Sequence, residues 1–252
     1  MRRPGLSYPR SLRKNAELEI DLERALAQHA ALARVLESLG IRVSVLDAAE
    51  SYPDAVFVED TGLVLGSRGF LLRPAPPSRR GEPAEIADEL ARWVDVEPFP
   101  GRGSIEGGDC IDTREAIFVG VGRRTDREAA HVLAQASGRT SVVSVDMRDV
   151  DGLHLKTVAT FLGRKTLIVD ERAMDAGIFR ARGYTVIGCA PEEPKAANCV
   201  AVGGSILMSS GNPRTLATLR SAGFTVVESD IGEFENADGS MSCLMLLIEQ
   251  PR

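Results

Sequence analysis

Apolar residues recur along the chain in two alternating rhythms. Within residues 15–39, Leu18, Leu22, Ala25, Leu26, His29, Leu32, Ala33, Leu36 and Leu39 stand three or four positions apart, the spacing that lines one face of a helix. Gly40 suits the C-terminal cap of that helix, and residues 41–46 alternate with the two-residue period of a strand. The same order returns four times. Helices are predicted near residues 82–92, 126–137, 172–182 and 213–222, followed by strands at 93–96, 141–145, 184–187 and 224–227. After each such strand comes a polar or Gly-rich stretch and then two short apolar strands, as at 62–65 with 69–72 and 200–202 with 205–208.

The strand starts lie 40 to 52 residues apart, and no low-complexity linker interrupts them. Five units of similar length favour an α/β chain folded as one closed radial array over residues 1–252, rather than a doubly wound sheet or an ordinary α/β domain. No GxGxxG opens a helix and no GxxxxGK[ST] occurs, so the nucleotide-binding signatures are missing. In a radial array equivalent points of the units meet near the axis. The stretches that would meet are 54–60, 106–109, 151–154, 197–199 and 238–243. They carry carboxylates, one imidazole and thiols, a set suited to binding a cation and attacking it with sulfur.

Composition narrows the picture. The longest apolar run, 243–248, has six residues, too few to span a bilayer, and no apolar stretch follows the basic N-terminus as a signal peptide requires. Net charge is −6 and basic runs are only pairs, which argues against a nucleic-acid partner. Four cysteines lie far apart without a CxxC, so neither a zinc site nor a disulfide framework is expected, and a reducing cytoplasm is the simplest location.

Chemistry has few candidates. Cys243, five residues after Asp238-Gly239, is the leading nucleophile, needing a nearby cation to form its thiolate. Cys110, Cys189 and Cys199 read as small buried hydrophobes. His154 follows Asp151-Gly152 at a loop junction and is the leading acid–base group. His29 and His131 sit within helix patterns and read as packing or surface residues. Asp54, Glu59 and Asp60 flank an apolar stretch, and Glu106 and Asp109 flank two glycines. Carboxylates at the edge of a core need a cation or donors. Arg79 and Arg124, taken alone, read as exposed loop arginines.

Seven motifs stand in one order: Phe57-Val58-Glu59-Asp60, Pro77-Ser78-Arg79-Arg80, Glu106-Gly107-Gly108-Asp109, Val119-Gly120 with Arg123-Arg124-Thr125, Leu153-His154-Leu155-Lys156, Ala196-Ala197-Asn198-Cys199, and Asp238-Gly239 before Cys243. In combination the chain resembles the dimethylarginine dimethylaminohydrolases of the guanidino-group-modifying superfamily, from about residue 54 to residue 243. The resemblance implies a five-bladed α/β propeller (pentein) of ββαβ units. It implies Cys243 as nucleophile, His154 as acid–base group and Glu106 as its orienting partner. Asp54, Glu59 and Asp60 would hold the guanidinium and amino ends of the substrate, Arg79 and Arg124 its carboxylate, and Ala237 would add a backbone contact. No metal or organic cofactor is implied, and the expected assembly is a homodimer. The implied reaction turns N-omega-methylated arginine into citrulline and an alkylamine through a thiouronium intermediate. Ser11-Leu12 resembles the start of the family's substrate-covering loop, but the helix is expected to begin almost at once, at Asn15. A shortened cover leaves open an arginine deiminase-like hydrolase acting on arginine or another guanidino amino acid. A non-catalytic binding protein on the same scaffold is a minor alternative.

Overall fold

The computed structural model describes residues 1–138 and 141–249. Helix α1 spans Leu22–Ser38. It starts later than the apolar spacing suggests because Asp21 caps it, accepting the Arg24 amide. The amides ahead of it are taken by side chains: Leu12 by Asp54, Glu17 by Asn15 and Asp21 by Glu233. Residues 11–20 therefore form an irregular loop, and the helix begins at Leu22 rather than at Asn15. One face of α1 buries Ala25, His29, Leu32 and Leu36, and Gly40 follows with φ +78°, a conformation that favours glycine.

Four units then repeat one topology. The first holds β1 (Gly62–Leu65), β2 (Arg68–Leu71), helix α2 (Ala84–Leu90) and β3 (Asp95–Pro98). The second holds β4 (Cys110–Asp112), β5 (Ile117–Val121), α3 (Arg127–Ala136) and β6 (Val142–Asp146). A short helix α4 (Leu155–Val158) leads into the third, β7 (Ala159–Gly163), β8 (Thr166–Val169), α5 (Gly177–Arg180) and β9 (Thr185–Gly188). The fourth holds β10 (Cys199–Val202), β11 (Ser205–Ser209), α6 (Pro213–Ser221) and β12 (Val226–Ser229), and the one-turn helix α7 (Gly232–Glu235) follows. Each unit forms a three-stranded sheet in which the first two strands are antiparallel and the third runs parallel to the second. Parallel pairing needs a crossover, and the helix between those strands provides it.

The helix expected over 172–182 is a single turn. Asp170 and Asp175 accept the amides of Arg172 and Gly177, a side-chain competition that shortens helices. The strand expected at 41–46 forms no sheet among the described residues. Leu46 instead bridges Arg2 in parallel, with the Arg3 amide on the Leu46 carbonyl and the Leu46 amide on the Met1 carbonyl.

The middle strands β8 and β11 are buried along their whole length, because neighbouring units pack on both faces. Phe118 of β5 meets Phe179 and Tyr184 of the next unit at centroid distances of 4.9 and 5.6 Å. Leu162 and Ile168 of β7 and β8 join Ile206 and Met208 in one apolar cluster.

A short turn precedes the first strand of every unit: Val58–Thr61, Gly107–Asp109, α4 and Pro194–Ala197. A fifth, Ser242–Leu244, stands before residues 245–249. The first touches the second and the fifth, α4 touches the second and the fourth, and Asn198 bonds Ser242 to close the ring. The ring admits no Cβ at Gly107, whose place is filled by the backbone carbonyls of Glu59 and Gly62. Gly107→Ala is expected to cost about 1–3 kcal/mol of stability, as overpacking against rigid backbone does. Urea unfolding midpoints of the two proteins measure it.

Candidate active site

The ring of turns brings polar side chains to one point. Glu106 is wholly buried. Its Oε2 lies 2.6 Å from His154 Nε2, and its Oε1 accepts the Ala75 amide at 2.9 Å. Arg124 Nη1 approaches the same carboxylate at 3.3 Å. His154 is the N-cap residue of α4, where its own amide donates to Thr157 Oγ1 and Asp109 Oδ1 accepts the next amide, that of Leu155. A Cβ on Gly108 would stand 2.8 Å from the imidazole and 3.0 Å from Asp60 Oδ1. The second glycine of the Glu-Gly-Gly-Asp motif thus leaves room for the ring.

Asp60 is almost fully buried. Its Oδ2 accepts Arg79 Nη1 at 2.7 Å. Its Oδ1 has no hydrogen-bond partner among the described residues and lies 3.7 Å from His154 Nε2. A buried carboxylate oxygen left unpaired is costly, and here it points into the cluster that holds the imidazole.

These contacts shape the charges. Burial alone would lower His154, but Asp60, the Glu106 hydrogen bond and Asp109 outweigh it and lift the imidazole from 6.5 to about 9. His154 therefore carries its proton at neutral pH. Asp60 is also opposed by burial, yet protonated His154 and Arg79 hold it below the usual carboxylate range. Burial, with some opposition from Arg79, lifts Asp54. Cys243 lies half-buried in the Ser242–Leu244 turn. Burial first, then the Asp60 and Glu59 carboxylates, push its thiol up, against a smaller pull from Lys156. The resting sulfur is a neutral thiol. The turn that carries Cys243 packs against the turn that carries Asp60, with Ser242 bonded to Glu59, and the Asp60 carboxylate acts on both the thiol and the imidazole.

Other expected residues are present with altered surroundings. Both oxygens of Glu59 are engaged, Oε1 by Lys156 Nζ at 2.6 Å and Oε2 by Ser242 Oγ at 2.7 Å. Arg79 is not an exposed loop arginine; it is 3% exposed. Nε donates to Glu82, Nη1 to Asp60, and Nη2 to Glu82 and the Phe57 carbonyl. Arg124 keeps its side chain 17% exposed. Ala237 is buried and precedes Asp238, which adopts φ +59° and accepts the Lys14 amide. Asp54 accepts the Leu12 amide at 2.9 Å. The loop over residues 11–20 is thus fastened through its backbone to Asp54 and to Asp238. Tyr8 anchors its near end beside Phe57 and Phe234, its hydroxyl donating to the Glu233 carbonyl.

Outside the site, burial lifts the Cys110 and Cys199 thiols to about 12 and lowers His29 to about 4, in keeping with packing roles. Reasoning from sequence missed three contributors. Asn198 clasps Ser242, accepting its amide and donating to its hydroxyl at 3.0 Å each, and so fixes the turn that carries Cys243. Lys156 lies beneath that turn. Glu82 holds Arg79, and its three-residue spacing from Arg79 was the available signal.

Asp60, Glu106 and His154 place ligand atoms within 4.8 Å of one another, the one such group among the described residues. Both carboxylates already face arginines, Asp60 facing Arg79 and Glu106 facing Arg124. The set suits a cation that brings its own hydrogen-bond donors, as a guanidinium does.

The profile of the family described as "N,N dimethylarginine dimethylhydrolase, eukaryotic" matches residues 7–249. The chain belongs to the dimethylarginine dimethylaminohydrolase family. It is 34% identical to the N(G),N(G)-dimethylarginine dimethylaminohydrolase of Streptomyces coelicolor, over 99% of this chain and 96% of that one. Its identity to the Pseudomonas aeruginosa enzyme of the same name is 31%, over 90% and 89%. A solved structure of a mutant Pseudomonas enzyme complexed with citrulline superposes with a TM-score of 0.87 at 30% identity, covering 96% of this chain and 95% of that one. The substrate-bound N-terminal domain of a cyanobacterial arginine dihydrolase superposes with a TM-score of 0.86 at 25% identity, covering 98% and 96%. Family membership makes the chain a hydrolase of guanidino C–N bonds.

The proton on His154 is open to direct measurement. NMR titration of the imidazole is expected to give a midpoint well above 7, and Glu106→Gln to move it toward 6.5 by removing the carboxylate bonded to Nε2. Because the folded value is raised, the stability it contributes is complete below about pH 6.5 and is lost as pH rises through about 9.

Proposed function

We propose that the protein hydrolyses N-omega-methylated arginine to citrulline and methylamine or dimethylamine. In this reading residues 1–252 form one catalytic domain, and the ring of turns marks a five-bladed propeller. The fifth blade would join residues 245–249, the N-terminal residues paired with Leu46, helix α1 and residues 41–46.

The observation that carries the reading is Asp60 Oδ1, a buried oxygen without a donor, 3.7 Å from an imidazole held by Glu106. A guanidinium supplies the missing donor and the missing positive charge at once. Asp60 and Glu106 then fix its plane, while Asp54, beneath the covering loop, is left for the amino end and Arg124 for the carboxylate. Arg79, with all three nitrogens on protein acceptors, contributes its charge rather than a free donor. Glu59 holds the Cys243 turn through Ser242, and Ala237 offers backbone at the rim.

The neutral thiol fits this order of events. Until the cation arrives, the Asp60 and Glu59 carboxylates outweigh Lys156 at the sulfur. The bound guanidinium favours the thiolate, the thiol proton passes to solvent, and Sγ bonds to the guanidinium carbon. His154 gives its proton to the substituted nitrogen, the C–N bond breaks and the alkylamine leaves. The S-alkylthiouronium remains on Cys243. Neutral His154 takes a proton from water as the oxygen adds to the same carbon. The C–S bond then breaks with its electron pair going to sulfur and the hydroxyl proton passing to the sulfur, which releases citrulline and restores the thiol, and the proton on His154 restores the imidazolium.

A second reading, hydrolysis of unmodified arginine, is favoured by the similarity to the arginine dihydrolase domain. Product analysis over dimethylated, monomethylated and unmodified arginine separates the two, with alkylamine and ammonia measured alongside citrulline. Turnover of the methylated substrates without added cofactor is expected, and ammonia from arginine alone would replace the first reading by the second. Cys243→Ser should lower kcat by at least about 10³-fold. A variant as active as the parent would remove Cys243 from the reaction.

A further inference from the structure

Glu82 is 2% exposed, and its carboxylate takes no part in the reaction above. It accepts three hydrogen bonds from Arg79: two from Nε, at 3.1 and 3.0 Å, and one from Nη2 at 2.9 Å. Arg79 Nη1 is thereby turned to Asp60 Oδ2 at 2.7 Å. The series continues through His154, 3.7 Å from Asp60, to Glu106 at 2.6 Å and Arg124 at 3.3 Å. Six side chains thus stand in alternating charge: Glu82, Arg79, Asp60, His154, Glu106, Arg124. Burial pushes Glu82 up to about 7 against the pull of the Arg79 guanidinium, so above that pH it stands as the anion of its pair with Arg79.

We propose that Glu82 is a positioning residue for cation binding: it holds and neutralises Arg79, so that Asp60 keeps an unpaired oxygen and a net negative field for the substrate guanidinium. The proposal rests on the reading that the site takes a guanidino amino acid. Arg79 faces the carboxylate that must receive the cation. Unopposed, its charge would cancel that of Asp60 and its freed nitrogens could reach Asp60 Oδ1. Glu82 uses up two of the three nitrogens and directs the third to Oδ2. The other charged groups acting on Glu82 are Asp54 and Asp60, and Arg2 acts on it from the N-terminal segment. Arg2 is itself held by the carbonyls of Asp47 and Glu85, so it does not replace Arg79. Gly81 helps set the loop. A Cβ there would strike the Tyr52 hydroxyl, so the chain passes close beneath that ring on its way to Glu82.

The test compares a cationic with a neutral ligand of the same frame. Citrulline keeps the amino and carboxylate groups of dimethylarginine but carries a neutral ureido group. Binding of both is measured by calorimetry on Cys243→Ser, where turnover does not interfere, with and without Glu82→Gln. Binding is measured at pH 8, above the value of about 7 to which burial pushes Glu82, so that the amide keeps the size of the side chain and removes its charge. Glu82→Gln is expected to weaken dimethylarginine by about tenfold or more, the scale of one unit charge lost a few ångströms beyond the first contacts, and citrulline by less than about twofold. In the enzyme with Cys243 intact, KM should rise by the same factor with kcat changed far less. Equal weakening of both ligands would mean that Glu82 only supports the fold, and no change in either would mean that it does not act on the site; each overturns the proposal. If Cys243→Ser alone binds neither ligand, the functional reading fails first.

Discussion

The contact between His154 and Glu106 is the interaction on which the site depends. A protonated imidazole in a pocket with almost no solvent is costly unless anions surround it. Glu106 at 2.6 Å, Asp60 at 3.7 Å and the nearby Asp109 supply them. Those carboxylates are equally costly alone, and Arg79 and Arg124 answer them in turn. Each charge is tolerable only because its neighbour is present. Among the described residues of the site the carboxylate oxygen left without a hydrogen bond is Asp60 Oδ1, and it is the atom on which the proposed preference for a cation with N–H donors rests.

The fold meets this requirement by repetition. A turn stands at the head of each sheet, and the turns meet in a ring because the units pack side by side through Phe118, Ile168 and Met208. Every turn therefore contributes a polar group from a rigid sheet rather than from a free loop. Gly107 and Gly108 allow the second turn to approach the first and the imidazole more closely than any side chain permits. Precision here comes from backbone packing, and hydrogen bonds such as Asn198 to Ser242 complete it.

Much of this was legible in the sequence, and the parts that were not share a cause. The strands at 62–65 and 205–208 lie within a residue of β1 and β11, since short apolar runs between turn residues leave little freedom. The repeat was visible because each unit buries the same kind of surface. The start of α1 was misplaced because periodicity in Leu18 and Leu22 is blind to Asp21 and to the acids, Asp54 and Glu233, that hold the preceding amides from distant segments. Arg79 looked exposed for the same reason. Its neighbours Asp60 and Glu82 stand 19 and 3 residues away, and nothing in a loop arginine announces that both will be buried with it. Glu59 shows the reverse. Its place in the Phe-Val-Glu-Asp motif marks it as important, but only the three-dimensional arrangement reveals that Lys156 and Ser242 occupy both its oxygens.

The same electrostatics explain how the nucleophile of the proposed reaction, Cys243, can rest beside so many carboxylates. A thiolate formed in the empty pocket would face Asp60 and Glu59 with Lys156 as its nearest relief, and Lys156 is already paired with Glu59. The sulfur is accordingly held as a thiol, which is less open to oxidation than its anion. In the proposed reaction a cation seated against Asp60 reverses the balance, because it adds positive charge beside the carboxylate that pushes the thiol up. Binding and activation are then one event. In the proposed reaction the carboxylates that select the ligand also suppress the nucleophile in its absence, and a ligand without the positive charge would occupy the pocket without awakening it.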